Sequence, residues 1–377
     1  MIFGIPVVSW SPNINTALLL SVFFLAAPCS AALTSQFQHF FPQHGDKYDY
    51  ILHNNCSQQY ANYLTGRPQD FKLDWLGGGG KHTVLVEPVV KCLLDNISEY
   101  IKAATSSAQV ILGVTPPLIA SLAASTDELA MLSVVGRRPL LALLISLGNP
   151  SVYIERVFDF RQPEKMLQRS RGRYRLYKPD TTFKRCVLAA LQYAVALGAA
   201  ANVASLSWQL GVGTVCSWWA ETVFGPLVWT ILSVPIHFAG AFAIRLRVRR
   251  IYSDEDKEIN IGLAQWIRLL PSRFARYWKS EWVPAIAQDD IRVVSFEEEK
   301  IYVAWSWFLS TSTIIHILFG SLVLSGLLFI GPQDALIVIF RYTVSVLLCR
   351  ILVTFELAGM RARYVPEPER MGSMKVV

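Results

Sequence analysis

Apolar residues in this chain gather into long runs separated by charged connectors, and the length of those runs sets the first expectation. A helix needs about 20 apolar residues to cross a hydrocarbon core about 30 Å thick. Windows of that order fall at 107–126, 186–212, 216–244, 303–330 and 334–357, which predicts about five spanning helices. Pro116-Pro117 in the first window and Pro226 with Pro235 in the third predict kinks, because a proline removes a backbone hydrogen bond without forbidding a helix in a bilayer. A sixth apolar stretch, 129–148, is different: Asp127-Glu128 precedes it and Arg137-Arg138-Pro139 falls near its centre. Two adjacent arginines among acyl chains would cost several kcal/mol. This stretch is therefore predicted to stay on the cytosolic side, as a re-entrant or surface-lying segment. The fold class that follows is an all-α membrane protein with about five transmembrane helices plus a re-entrant or interfacial apolar segment, and a small disulfide-bonded N-terminal ectodomain.

The ectodomain is inferred from what precedes the first window. An apolar stretch from Ala17 to Ala27 ends in Pro28-Cys29-Ser30-Ala31-Ala32, which reads as a signal peptide over 1–31, although no Lys or Arg precedes it. An uncleaved signal-anchor is the alternative, and both place residues after 32 outside the cytosol. Of the cysteines, Cys29 lies in the signal and Cys186, Cys216 and Cys349 lie at or inside apolar helices. Cys56 and Cys92 share the segment 32–106, and two exported thiols without metal-ligand spacing predict a disulfide. Asn55-Cys56-Ser57 and Asn96-Ile97-Ser98 match the glycosylation pattern at Asn55 and Asn96. The glycine run from Gly77 to Gly80 before Lys81 is read as a turn, because Trp75 and His82 break the phosphate-loop pattern. From Val89 to Lys102 apolar residues recur at helical spacing, predicting one amphipathic helix that feeds the membrane.

Charge then sets the orientation. The chain is 53% hydrophobic and 17% charged over 377 residues, too apolar for a soluble globule of that length. Its net charge of +7 sits in segments flanking the apolar runs, which argues against a nucleic-acid partner. Residues 137–185 hold 12 Lys or Arg against 4 Asp or Glu, whereas 32–106 hold 6 against 7. The positive-inside tendency then makes 127–185 a basic cytosolic segment. Two transmembrane hairpins follow at 186–244 and 303–357, joined by a cytosolic loop over 245–302 and ending in a cytosolic tail over 358–377. Within the loop Trp266, Leu270, Phe274, Trp278 and Trp282 repeat every four residues, as in an amphipathic helix lying on lipid or packing on the bundle. Arg171, Arg173 and Arg175 are candidates to face anionic membrane lipid.

Charged groups in lipid are expensive and usually face a bundle interior, so candidate chemistry rests on Glu221, His237, His316, Arg341, Arg350 and Glu356. Glu221 and Arg341 lie at similar depth and are predicted to form an intramembrane ion pair. His316 follows Thr311-Ser312-Thr313 and is a candidate for a proton or ion path, or for a bond to a neighbouring helix. Gln192, Asn202 and Gln209 are candidates for hydrogen bonds between helices. Nucleophile motifs, metal-ligand spacings and dinucleotide loops are missing from the sequence, so neither catalytic residues nor a metal or cofactor is expected.

The run from Cys92 to Tyr100, the kinked Leu112-Gly113-Val114-Thr115-Pro116 segment and Arg137-Arg138-Pro139-Leu140-Leu141-Ala142-Leu143 resemble a family of uncharacterised multi-pass membrane proteins of filamentous fungi. The resemblance implies a membrane boundary at Arg137-Arg138-Pro139 and no activity. Two functions are expected from the sequence. The first is a non-enzymatic integral membrane protein of the secretory pathway, whose ectodomain meets a protein partner or ligand. The alternative is a small-solute or ion transporter using Glu221, Arg341 and His316.

Overall fold

A computed structural model describes residues 35–66, 83–153, 163–168, 179, 181–220, 222–251, 278, 280–295 and 300–365. Three helices form an N-terminal cap: α1 (Gly45–Asn54), α2 (Ser57–Thr65) and α3 (Thr83–Asn96). The cap buries Tyr48, Leu52, Tyr63 and Leu93 together with Phe329 from further along the chain. A disulfide joins Cys56, at the start of α2, to Cys92 in α3, as the sequence predicted. The helix expected over 89–102 is divided. Ser98 adopts an extended backbone, φ −69° and ψ 152°, and starts α4 (Glu99–Gly113). Asn96 turns its amide back onto the Cys92 carbonyl at 2.8 Å. Residues of this kind bond locally to the backbone, and so they end one helix and begin the next.

Among the described residues five helices are long and apolar enough to cross a membrane, which marks the chain as an integral membrane protein. The first, Glu99–Leu122, consists of α4 and α5 (Thr115–Leu122). The others, which follow the short α8 (Pro163–Gln168), are α9 (Thr182–Gly213), α10 (Gly225–Arg247), α11 (Lys300–Ser325) and α12 (Pro332–Arg363). Two predicted spans are shorter at the cap end. Residues 216–220 and 222–224 are not helical, because Val215–Cys216 (β1) pairs antiparallel with Leu327–Leu328 (β4) across the two inter-helix turns. The same pairing ends α11 at Ser325 instead of 330. Pro226 lies in the first turn of α10, where its missing N–H has no partner to lose, so it opens the helix rather than kinking it. At the opposite end of the bundle Val248–Ile251 (β2) pairs with Arg292–Ser295 (β3).

The stretch 129–148 is not one segment. It divides into α6 (Thr126–Val134) and α7 (Pro139–Gly148). The acidic pair that opened it belongs to a helix start: Ser125 and Glu128 cap each other, at 2.9 and 3.2 Å, and acidic side chains suit an N-terminus. At the break Arg137 takes a left-handed backbone (φ 55°), the Arg138 N–H donates to the Leu132 carbonyl at 3.2 Å, and Pro139 begins α7. The α6 helix continues the path of α4 and α5 away from the cap, with Thr126 against Gly240 of α10. Helix α7 then turns back into the bundle. A Cβ at Gly148 would meet Cys349 Sγ at 2.6 Å and Ala199 Cβ at 3.1 Å, so its tip is pressed between the middles of α9 and α12. At 1.5 Å per residue α7 is about 15 Å long, half the hydrocarbon thickness.

Candidate functional site

The base of α7 is held by a charge network. Arg138 and Glu356 are both 0% exposed, and their side chains pair at 2.9 Å. Gln192 lies between them, accepting from Arg138 at 2.6 Å and donating to Glu356 at 2.6 Å. Arg138 Nε donates to the Glu281 carbonyl at 2.9 Å, and its guanidinium lies 5.5 Å from the centre of the Tyr193 ring. The Glu281 carboxylate accepts from the Leu141 N–H at 3.0 Å and the Tyr193 hydroxyl at 2.5 Å. The Ala285 N–H donates to the other Glu356 oxygen at 3.1 Å. Burial lifts the Glu281 carboxyl above its ordinary value of 4.5, against the Tyr193 and Leu141 hydrogen bonds and the Arg138 charge, which pull it down. The sequence keeps Arg138 out of acyl chains, and the structure buries it against protein groups. Burial costs less here than among acyl chains because a carboxylate, two hydrogen-bond acceptors and the Tyr193 ring replace much of the lost water, although Nη2 has no hydrogen-bond partner.

The tip of α7 has the opposite character. Asn149, Trp229, His237 and His316 are each at most 5% exposed. His316 Nε2 lies 3.1 Å from the Pro150 carbonyl. A carbonyl only accepts, so Nε2 carries a proton, and in the tautomer with that single proton Nδ1 is an acceptor. That Nδ1 has no partner, and neither do both amide atoms of Asn149, both ring nitrogens of His237 and the indole N–H of Trp229. These groups are neighbours. Asn149 precedes Pro150, whose carbonyl meets His316, Trp229 stacks on His316 with ring centres 6.1 Å apart, and Ile236, next to His237, packs with Val152 of the same turn. Val152 packs with Ile236 of α10 and Leu309 of α11, and Ser151 donates to the Pro116 carbonyl at 3.0 Å. A non-helical turn thus sits inside the bundle among unpaired polar groups.

The other candidates are placed as follows. Glu221 and the basic residues Arg171, Arg173 and Arg175 lie outside the described residues. Arg341 donates to Asn202 at 2.9 and 3.0 Å, to Gln209 at 2.7 Å and to Ser205 at 3.2 Å, so two of the three predicted interhelical amides hold this guanidinium. Arg350 pairs with Glu128 of α6. Asn55 and Asn96 are exposed, and the amide of Asn55 donates to that of Asn96 at 2.8 Å. Of the aromatic stripe over 266–282, Trp278 and Trp282 are exposed and the remainder lies outside the described residues. Among the described residues no cluster of His, Cys, Asp and Glu is placed to hold a metal ion. Sequence reasoning missed Asn149, Trp229, Tyr193 and Glu281. The available signal was a leucine-rich run of ten residues, too short to span, ending in Gly148-Asn149-Pro150. Comparison with protein-family models, curated proteins and solved structures finds no match to this chain.

Proposed function

We propose that this integral membrane protein moves a small polar species across the bilayer, along a route that passes the tip of α7. One observation carries the reading: a half-length helix ends within the bundle at Asn149, whose amide has no partner, beside two histidines with free ring nitrogens. Irregular backbone at membrane depth is tolerated where protein buries it or where it lines a hydrated cavity, and unpaired polar groups favour the second. The site of the transporter reading thereby shifts from Glu221 and Arg341 to the α7 tip, and of the residues first considered only His316 remains in it.

Arg247 and Arg361 lie at the end of the bundle away from the cap, the same end as the α6–α7 turn. This asymmetry supports a cytosolic far end and an exported, disulfide-bonded cap reached through the secretory pathway. A second reading, a non-enzymatic membrane component whose cap meets a protein partner or ligand, draws on the exposure of Tyr50 and Tyr100, at 65% and 76%. The purified chain in lipid vesicles discriminates between the two. Under the transport reading a panel of small charged and uncharged solutes includes some that cross faster than in protein-free vesicles. Permeation equal to empty vesicles for the whole panel rejects it in favour of the cap-binding reading.

A further inference from the structure

We infer that the α7 tip is a binding site for a small neutral solute carrying both hydrogen-bond donors and acceptors, of the size and kind of a simple amide or polyol, and not for an ion. This rests on the transport reading and names its substrate class. The unpaired groups form a mixed set. The Asn149 amide offers donors and an acceptor, the His237 ring its two nitrogens and His316 its Nδ1. The charges inside the bundle are engaged elsewhere: Arg138 with Glu356, Arg350 with Glu128, and Arg341 with Asn202, Ser205 and Gln209. An alkali or alkaline-earth cation needs several oxygen ligands, an anion needs converging donors or positive charge, and no group of three or more His, Cys, Asp or Glu comes together among the described residues to hold a transition metal. A neutral amide or polyol can meet imidazole nitrogens and a carboxamide together. Each of these groups, buried without a partner, carries a desolvation penalty that a guest with matching polarity relieves. The site is also held in shape. Gly320 lets the Trp229 indole lie directly on α11, where a Cβ would collide with Nε1, and the Pro150 carbonyl fixes the His316 ring.

The test is stopped-flow permeation of reconstituted vesicles with urea and glycerol as neutral probes, and with potassium and chloride as ionic ones. The expected result is urea or glycerol entry well above that of protein-free vesicles, with no gain for either ion. His316→Phe, which keeps the ring stacked on Trp229 and removes the acceptor, should slow neutral entry about tenfold, the effect of losing about 1.4 kcal/mol of hydrogen bonding at the limiting step. If that variant does not fold, Asn149→Leu serves the same purpose. Ion flux without neutral flux overturns the inference and leaves the transport reading standing, whereas no flux of any probe overturns both. Neutral flux indifferent to both substitutions runs elsewhere and also overturns the inference.

Discussion

Arg138 and Glu356 are separated by most of the chain yet share one dry contact, with Gln192 bonded to each. Removing one partner of a buried pair leaves a charge without water or counter-ion, at a cost of about 3–5 kcal/mol. Glu356→Ala should therefore destabilise the bundle by about that amount in denaturant unfolding in detergent micelles. The double variant Arg138→Met with Glu356→Leu should recover most of the loss, because two apolar side chains leave no charge stranded. Equal damage from the single and double variants would show that packing, not charge, holds this point. Glu281 gives a pH signature. Its folded-state value lies above that of the unfolded chain, so its contribution to stability is full below the ordinary 4.5 and is lost as pH rises through the folded value. Thermal unfolding of the wild type should thus weaken from pH about 4.5 upward relative to Glu281→Gln, and parallel profiles would contradict this. Glu356 and Gln192 were legible as buried polar residues because their windows are apolar. Their partner was not, since contacts between residues 138, 281 and 356 leave no trace in local spacing.

At the scale of elements, the five long helices among the described residues follow from apolar length; the structure shortens two of them where β1 and β4 pair, starts the first at Glu99 instead of 107 and carries the last on to Arg363 instead of 357. The stretch 129–148 was harder. Its arginines predict one re-entrant or surface-lying segment on the cytosolic side, whereas in the structure Arg137-Arg138-Pro139 is a turn that ends α6 and begins α7. Two short helices, α6 capped by Ser125 and α7 opened by Pro139, replace one segment. The cap is attached through Phe329, which meets Phe37, Phe40 and Tyr48 in edge-on or tilted ring contacts and is 1% exposed. Phe329→Ala should destabilise the cap by about 3–5 kcal/mol. Hydrogen exchange would then quicken in α1–α3 and stay slow in α9 and α12; uniform quickening would mean that cap and bundle unfold together. Breaking the disulfide across its 36-residue separation should weaken the same helices by about 3–4 kcal/mol in the chain-entropy account. Unchanged cap exchange after Cys56→Ser with Cys92→Ser would count against it.

For the whole molecule, sequence gave the span number and the clustering of arginines at one end, because both are summed properties of composition. It could not give the site, because the α7 tip is assembled from four separate stretches: Asn149-Pro150, Trp229, His237 and His316. The central claim is that this tip is wet while its surroundings are not. Thiol accessibility tests it most directly. In a chain with Cys29, Cys186, Cys216 and Cys349 changed to alanine and the Cys56–Cys92 bridge kept, cysteine is placed at Asn149 or at Leu197, a 58% exposed position on α9 two residues from Ala199. Both are then treated with a small water-soluble methanethiosulfonate in lipid vesicles. The structure predicts that Asn149→Cys reacts and Leu197→Cys, facing acyl chains, does not. Reaction at Leu197→Cys alone, or at neither position, would contradict a polar route at the tip of α7.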